Sequence, residues 1–148
     1  MSSTHLSLNV HVIFGTKHLQ PQIALAWRND LHAYLGGATR TPGAVPQSIG
    51  GVADHVHLLV GLRATHSLAD LMRDVKRVSS GWVHEEIGDK AFGWQDGYGA
   101  FTVSASLVET VRRYIAKQEE HHRKKSFREE YLELLKRSGV EYNEKYLW

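Results

Sequence analysis

Apolar and polar residues alternate over residues 5–15 and predict a first strand. The stretch HLSLNVHVIFG keeps apolar side chains at every second position, which is the period of a β-strand. The spacing then becomes helical, and an apolar stripe predicts a helix over 22–35. The pair Gly36 and Gly37 predicts the end of this helix, because glycine is common just after a helix.

The middle of the chain predicts two strands followed by a second helix. Residues 47–53 and 55–62 are short runs joined by a predicted tight turn. Ser67 with Asp70 three residues later is a capping pattern, and it begins a helix predicted over 68–86. We expect the outer face of this helix to carry three basic residues: Arg73, Lys76 and Arg77.

The last third of the chain predicts a strand and two helices. A glycine-rich, aromatic stretch ends in a strand predicted around 100–104. A second capping pattern, Ser106 with Glu109, begins a helix predicted over about 107–124. A short amphipathic helix is predicted at about 127–137.

The element order β-α-β-β-α-β-α predicts an α+β fold of the ferredoxin-like type. We expect a four-stranded antiparallel sheet with helices packed on one face and a helix with candidate chemistry near the C-terminus. A length of 148 residues suits one core, so we predict a single domain over 1–148.

Composition indicates the cellular compartment and the kind of chemistry to expect. The absence of cysteine excludes disulfides and thiolate metal sites and fits a reducing cytoplasm. We expect a cytoplasmic protein, because no apolar stretch is long enough to span a membrane and no signal-peptide pattern is visible. The net charge is only +2, but residues 112–125 hold six basic and two acidic side chains. Ten histidines favour metal or phosphate chemistry.

Two histidines share one side of the strand predicted over 55–62. His55 and His57 in DHVHLLV point to the same face, because successive strand residues point to opposite faces. Burying two imidazoles is unfavourable unless their nitrogens have binding partners, and a metal ion is one such partner. The alternative is a pair of structural histidines within the sheet. Asp54 is either a turn residue or a carboxylate that orients an imidazole.

A tyrosine and a glutamine lie one turn apart on the helix predicted over 107–124. If the stripe of Tyr114 and Gln118 faces the sheet, a hydroxyl and an amide oxygen point towards the histidine pair. Two imidazoles and an amide oxygen can hold Mg²⁺ or Mn²⁺ and leave room for substrate oxygens. Tyr114 is then a candidate nucleophile at phosphorus. The alternatives are a core aromatic residue for Tyr114 and a solvent-facing residue for Gln118.

These motifs resemble those of a known family. His55-Val56-His57 matches the His-hydrophobic-His (HUH) motif, and Tyr114 followed by Gln118 matches a single-tyrosine helix. With the stretches GTKHLQP, WQDGYGAFTVS and YIAKQEEHH, the chain resembles the one-tyrosine HUH transposases of small bacterial insertion sequences, the insertion-sequence-200-like transposases.

The resemblance implies an enzyme that cleaves and rejoins single-stranded DNA at the ends of a mobile element. It implies Tyr114 as the nucleophile of a covalent 5′-phosphotyrosine intermediate and three metal ligands: His55, His57 and Gln118. It also implies recognition of DNA hairpins, guide sequences that select the cleavage point, and action at the nucleoid. Family members work as homodimers in which the tyrosine helix can complete the partner's active site in trans.

Further residues are candidates for contact with DNA. Phosphate contacts are expected from basic side chains and one histidine, with solvated surface as the alternative: Arg73, Lys76, Arg77, Arg112, Lys117 and His122. His121 or His122 could also approach the metal. Three aromatic residues either stack on unpaired bases or belong to the core: Trp94, Tyr98 and Phe101.

Three other functions stay open from sequence. The first is a non-catalytic nucleic-acid-binding module on a ferredoxin-like sheet. The second is a metallohydrolase in which water attacks phosphorus. The third is a domesticated relative of the transposases that processes repeated palindromes.

Overall fold

The computed structural model describes residues 3–147, so residues 1, 2 and 148 of the predicted single domain lie outside the described residues. Its four strands form one antiparallel sheet in the order β2-β3-β1-β4. They are β1 (Asn9–Gly15), β2 (Val45–Gly51), β3 (His55–Gly61) and β4 (Gly99–Val103). The α-helices are α1 (Leu25–Arg40), α2 (Leu68–Trp82), α3 (Val108–Ala116), α4 (Gln118–His121) and α5 (Phe127–Arg137). The predicted α+β fold class is therefore confirmed.

The helices lie on both faces of the sheet rather than on one. The helices α1 and α2 cover one face, where alternate residues of β1 and β3 join a large apolar cluster. The other face is covered by α3 through Ile115 and by α5 through Phe127 and Tyr131. The reason is visible in β3, which is buried on both sides from His55 to Val60, so each side needs a covering layer.

The first helix is longer than its glycine pair predicted. It runs through Gly36 and Gly37 to Arg40, because Leu35 and Thr39 on the same side are still buried. The chain turns only after Thr41, where Gly43 adopts a φ of +93° that favours glycine. The first strand begins at Asn9, four residues later than the alternation predicted.

The helix predicted over 107–124 is broken. A 3₁₀ turn at Ala105–Leu107 precedes α3, and Ser106 does not cap the helix. Lys117 then leaves helical geometry with φ −103° and ψ 23°, and the chain continues as the single turn α4. By contrast, Ser67 caps α2 as predicted, since its hydroxyl accepts from the backbone N–H of Asp70 at 3.2 Å. This second helix ends at Trp82 and continues as a π-helical turn, Val83–Ile87.

A glycine lets α3 lie close to the sheet. A Cβ on Gly50, near the end of β2, would collide with the carbonyl oxygen of Ile115. Only glycine fits this approach without displacing the helix backbone. The contact fixes the end of α3, and so it also fixes Gln118 one residue past the break.

Candidate active site

His55 and His57 are fully buried on the sheet face that α3 and α5 cover. Their ring centroids lie 5.1 Å apart. The Nε2 atoms of both rings face one carboxylate oxygen, Oε1 of Glu130, at 3.4 Å for His55 and 3.2 Å for His57. The two histidines therefore lie on the same side of β3, as the alternation predicted, and their Nε2 atoms point to the same carboxylate.

Each of the two histidines is oriented through its other ring nitrogen. Nδ1 of His55 lies 2.7 Å from Oδ1 of Asp54, which is both a turn residue and the carboxylate that orients the ring. Nδ1 of His57 lies 2.8 Å from Nε2 of His11 on β1. If Nδ1 of each ring donates in these contacts, Nε2 is left to offer a lone pair to a metal, so both contacts are compatible with metal binding through Nε2.

Burial and neighbours shift the basicity of these rings in different directions. Burial, with the positive charge of His57 as the next cause, lowers the pKa of His11 to about 3. Burial also lowers the pKa of His57 to about 4, against the opposing effect of Glu130. For His55 burial opposes protonation, but hydrogen bonds to Asp54 and Glu130 outweigh it and raise the pKa of the ring.

Gln118 and Tyr114 both reach this space from α3 and α4. Gln118 is buried, and its Oε1 lies 3.2 Å from Nε2 of His55. The ring centroid of Tyr114 is 5.8 Å from that of His57, and the Tyr114 hydroxyl donates a hydrogen bond to Oε2 of Glu130. Burial and the adjacent Glu130 carboxylate raise the pKa of Tyr114 above its ordinary value.

Glu130 on α5 is the residue of this cluster that sequence reasoning missed. It is 1 % exposed, and its pKa is held well below the usual range, because hydrogen bonds from His122, His55 and His57 outweigh the effect of burial. In the stretch SFREEYLELL it looks like one of three solvated acids. The available signal was its position three residues after Phe127, on the apolar side of the amphipathic helix.

His122, a candidate DNA contact from the sequence, belongs to the same cluster. Its Nε2 lies 2.9 Å from Oε1 of Gln118 and 3.2 Å from Oε1 of Glu130. His121 lies at the rim, with its Nε2 3.3 Å from Oε2 of Glu130. Both histidines thus lie next to the cluster that one of them was expected to approach.

The donors present fit a divalent metal. One ligand atom from each of four residues, all within 4.8 Å of one another, defines the cluster: His55, His57, His122 and Glu130. The amide oxygen of Gln118 is in contact with two of these imidazoles. A set of imidazole nitrogens with carboxylate and amide oxygens suits Mn²⁺, Zn²⁺ or Mg²⁺, and it contains no soft thiolate ligand.

A basic cleft of about 590 Å³ opens beside the Tyr114 ring. Four of its lining residues are cations: Arg113, Lys117, Lys124 and Lys125. Lys117, a candidate DNA contact from the sequence, lines this cleft, whereas Arg112 is an exposed residue paired with Glu109 at 3.6 Å.

The basic residues of α2 lie away from this site. The helix packs on the opposite face of the sheet, where Arg73 and Arg77 are exposed and lie 3.3 Å from Asp70 and 3.7 Å from Asp74, respectively. The sequence predicted Lys76 on the same outer face, but its side chain turns towards the chain after α2. Its ammonium donates to the carbonyl oxygens of Gln95, at 2.9 Å, and Gly97.

The candidate stacking residues are part of the core. Trp94 and Tyr98 pack against the cluster between the sheet and α2, and Trp94 donates to the Ser79 hydroxyl at 2.9 Å. Phe101 packs in the cluster under α5.

No helix within residues 3–147 is long and apolar enough to cross a membrane.

Two solved structures share the fold. A transposase candidate from Deinococcus radiodurans R1 is 21% identical with a TM-score of 0.64, covering 80% of this chain and 98% of that one. A REP-associated tyrosine transposase bound to a REP hairpin is 13% identical with a TM-score of 0.60, covering 82% of this chain and 74% of that one. A search of curated proteins gave no match. The sequence model of the IS200-like transposases matches residues 4–118, and the chain belongs to that family.

Proposed function

We propose that this chain is a metal-dependent transposase of single-stranded DNA that works through a covalent 5′-phosphotyrosine at Tyr114. One observation carries the proposal: the Tyr114 hydroxyl shares the Glu130 carboxylate with the His55 and His57 imidazoles. A nucleophile is thereby held beside a cluster of metal-binding donors, with a basic cleft on its other side.

The metal ligands proposed are His55, His57 and Gln118, joined by His122 and Glu130. A bound Mg²⁺ or Mn²⁺ would polarise the scissile phosphate and stabilise negative charge on its oxygens. Asp54 and His11 orient the two strand histidines through their Nδ1 atoms. The cations of the cleft beside Tyr114 attract and position the DNA backbone.

The chemical step is a transesterification. The Tyr114 oxygen attacks phosphorus, the bond from phosphorus to tyrosine forms, and the bond from phosphorus to the 3′-oxygen breaks. The tyrosine proton passes to Oε2 of Glu130, which already accepts it in a hydrogen bond. Glu130, whose pKa is low, releases that proton to solvent, and the departing 3′-oxygen takes one up from solvent and leaves as a 3′-hydroxyl, so the step has no net change in protons. Attack by another 3′-hydroxyl on the phosphotyrosine reverses the step and joins strands without ATP.

The DNA partner proposed is a single strand with a hairpin near the cleavage point. The fold neighbour that was solved with a REP hairpin supports this choice, and it also supports a domesticated role in processing palindromes as the second candidate. A homodimer with the tyrosine helix exchanged between subunits remains part of the proposal. Within the single chain, Tyr114 already lies beside that chain's own His57.

Covalent trapping tests the proposed function. Labelled single-stranded DNA from the regions that flank the gene is mixed with protein and Mn²⁺ and run on a denaturing gel. We expect a metal-dependent shifted band that disappears in Tyr114→Phe. Tyr34→Phe is the control, because Tyr34 stacks on Trp82 away from the site. Cleavage without an adduct would indicate the metallohydrolase, and binding without cleavage would indicate the non-catalytic module.

A further inference from the structure

We propose that a second cleft, on the Gln118 side of the metal cluster, binds a DNA phosphate next to the scissile one through Arg28 and His32. This inference rests on the proposed function and specifies where the substrate strand continues. The cleft has a volume of about 450 Å³ and lies between α1, the end of β2 and the α3–α4 break.

The two side chains lie one helical turn apart on α1, and both line the cleft. The Arg28 side chain is only 12% exposed, and its Nη2 donates to the carbonyl oxygen of Ile23 at 2.9 Å. Its guanidinium is therefore held in one place before any ligand arrives. Gly50 and Gly51 line the cleft as well and add no side chains that would fill it.

Two residues that line this cleft each have a buried nitrogen without a partner among the described residues. They are Nε of Arg28 and Nε2 of His32. Buried polar atoms in proteins are normally satisfied, so two unpartnered nitrogens in side chains that line one cleft from successive turns point to a ligand with acceptor oxygens. A phosphate provides several such oxygens, and a guanidinium matches their geometry.

Three cations against two carboxylates line the cleft, so its net charge favours an anion. Lys117 and Arg123 line it with Arg28, whereas Glu119 and Glu120 are its acids. The Glu119 carboxylate lies 3.4 Å from Nη1 of Arg28 but is 61% exposed. Because the carboxylate end of this long pair lies in solvent, the pair is weak, and a phosphate can displace Glu119.

Lys117 and Glu120 line both this cleft and the cleft beside Tyr114. The two clefts therefore meet at the break between α3 and α4. A single strand that crosses the break has one phosphate on the Tyr114 side and a neighbouring phosphate on the Arg28 side. The metal cluster lies below the crossing, where Gln118 contacts His55.

Anisotropy measurements with a labelled dT12 strand and no added metal test this subsite in the Tyr114→Phe background. We expect Arg28→Gln to weaken binding about fivefold or more and to reduce the slope of log K against log salt by about 0.7, the value for one phosphate contact on single strands. Arg73→Gln is the matched control, because it removes an arginine from the opposite face of the sheet and should change neither quantity. Glu119→Gln should strengthen binding, since it frees Arg28.

The His32 ring gives a second measurement that needs no substitution. Burial and Arg28 lower the pKa of His32 to about 4, and a bound phosphate should raise it, which NMR titration with and without dT12 detects. Equal effects of Arg28→Gln and Arg73→Gln, or an unchanged His32 pKa, would overturn the subsite. If the wild type still forms the Tyr114 adduct in that case, the proposed function stands alone, whereas loss of the adduct would refute the function instead.

Discussion

The contact between His11 and His57 leads to the sharpest test of the metal site. When Nε2 of His57 binds a metal, the proton of that ring lies on Nδ1 and needs an acceptor. Nε2 of His11, 2.8 Å away, is the acceptor that the structure provides. His11→Leu removes it and places a side chain of similar size in a position that is only 4% exposed.

The size of the effect follows from what is lost. Removing a partner that orients a metal-binding histidine typically weakens metal affinity about 10- to 100-fold, or about 1.4–2.8 kcal/mol. The Nδ1 atom of His57 also becomes a buried group without a partner, which costs about 1–3 kcal/mol of stability. Burial of the leucine offsets part of that cost, so we expect a folded protein with weaker Mn²⁺ binding.

Calorimetric titration with Mn²⁺ measures the change directly, without DNA. His11→Gln should recover most of the affinity, because its amide oxygen can accept from His57. His84→Leu is the control, since His84 donates a similar hydrogen bond to the carbonyl oxygen of Phe92 at 2.7 Å outside the site. Wild-type Mn²⁺ affinity in His11→Leu would refute the orienting role, as would equal losses in His11→Leu and His84→Leu.

Other predictions concern the carboxylate, a glycine and pH. Glu130→Gln should weaken Mn²⁺ binding at least about tenfold and slow formation of the tyrosine adduct, since it removes both a charged ligand and the proton acceptor. Unchanged Mn²⁺ binding and an unchanged rate of adduct formation would exclude both roles. Gly50→Ala should lower the free energy of unfolding by about 1–3 kcal/mol, because the new methyl group overpacks against α3. Gly37→Ala should raise it by about 0.5–1 kcal/mol, because a Cβ there meets nothing. Urea unfolding of both variants measures the two changes. Because the folded pKa of His32 is about 4 against 6.5 in the unfolded chain, stability should be highest above pH 6.5 and fall as the pH drops towards 4. This dependence should be smaller in His32→Gln, and equal pH profiles of the two proteins would contradict it.

Local periodicity in the sequence was enough to predict which side chains share a face of a strand or a helix. The alternation in DHVHLLV put His55 and His57 on one face, and helical spacing put Tyr114 and Gln118 on one stripe, and the structure brings these four side chains together. The break at Lys117 could not be read from spacing, because no proline or glycine marks it. It depends on tertiary packing at Gly50 and on the histidines that follow the break.

Residues that reach the site from elsewhere in the chain were harder to predict. His11 is one of the more polar positions that alternate with apolar residues in the first strand, and only the pairing of β1 with β3 brings it next to His57. Glu130 lies outside the family match, which ends at residue 118. Its burial depends on α5 covering the second face of the sheet, and the prediction of helices on one face had left no layer there.

The position of α5 makes the C-terminal segment part of the site rather than an appendage to it. The Phe127 ring stacks on His55 with centroids 4.0 Å apart, and Glu130 on the next turn contacts both strand histidines and the tyrosine. A metal bound by this cluster would therefore tie α5 to the sheet. Since a ligand that binds only the folded arrangement stabilises it, Mn²⁺ should raise the melting temperature, and Glu130→Gln should reduce that rise. An equal rise in both proteins would show that the metal binds without α5.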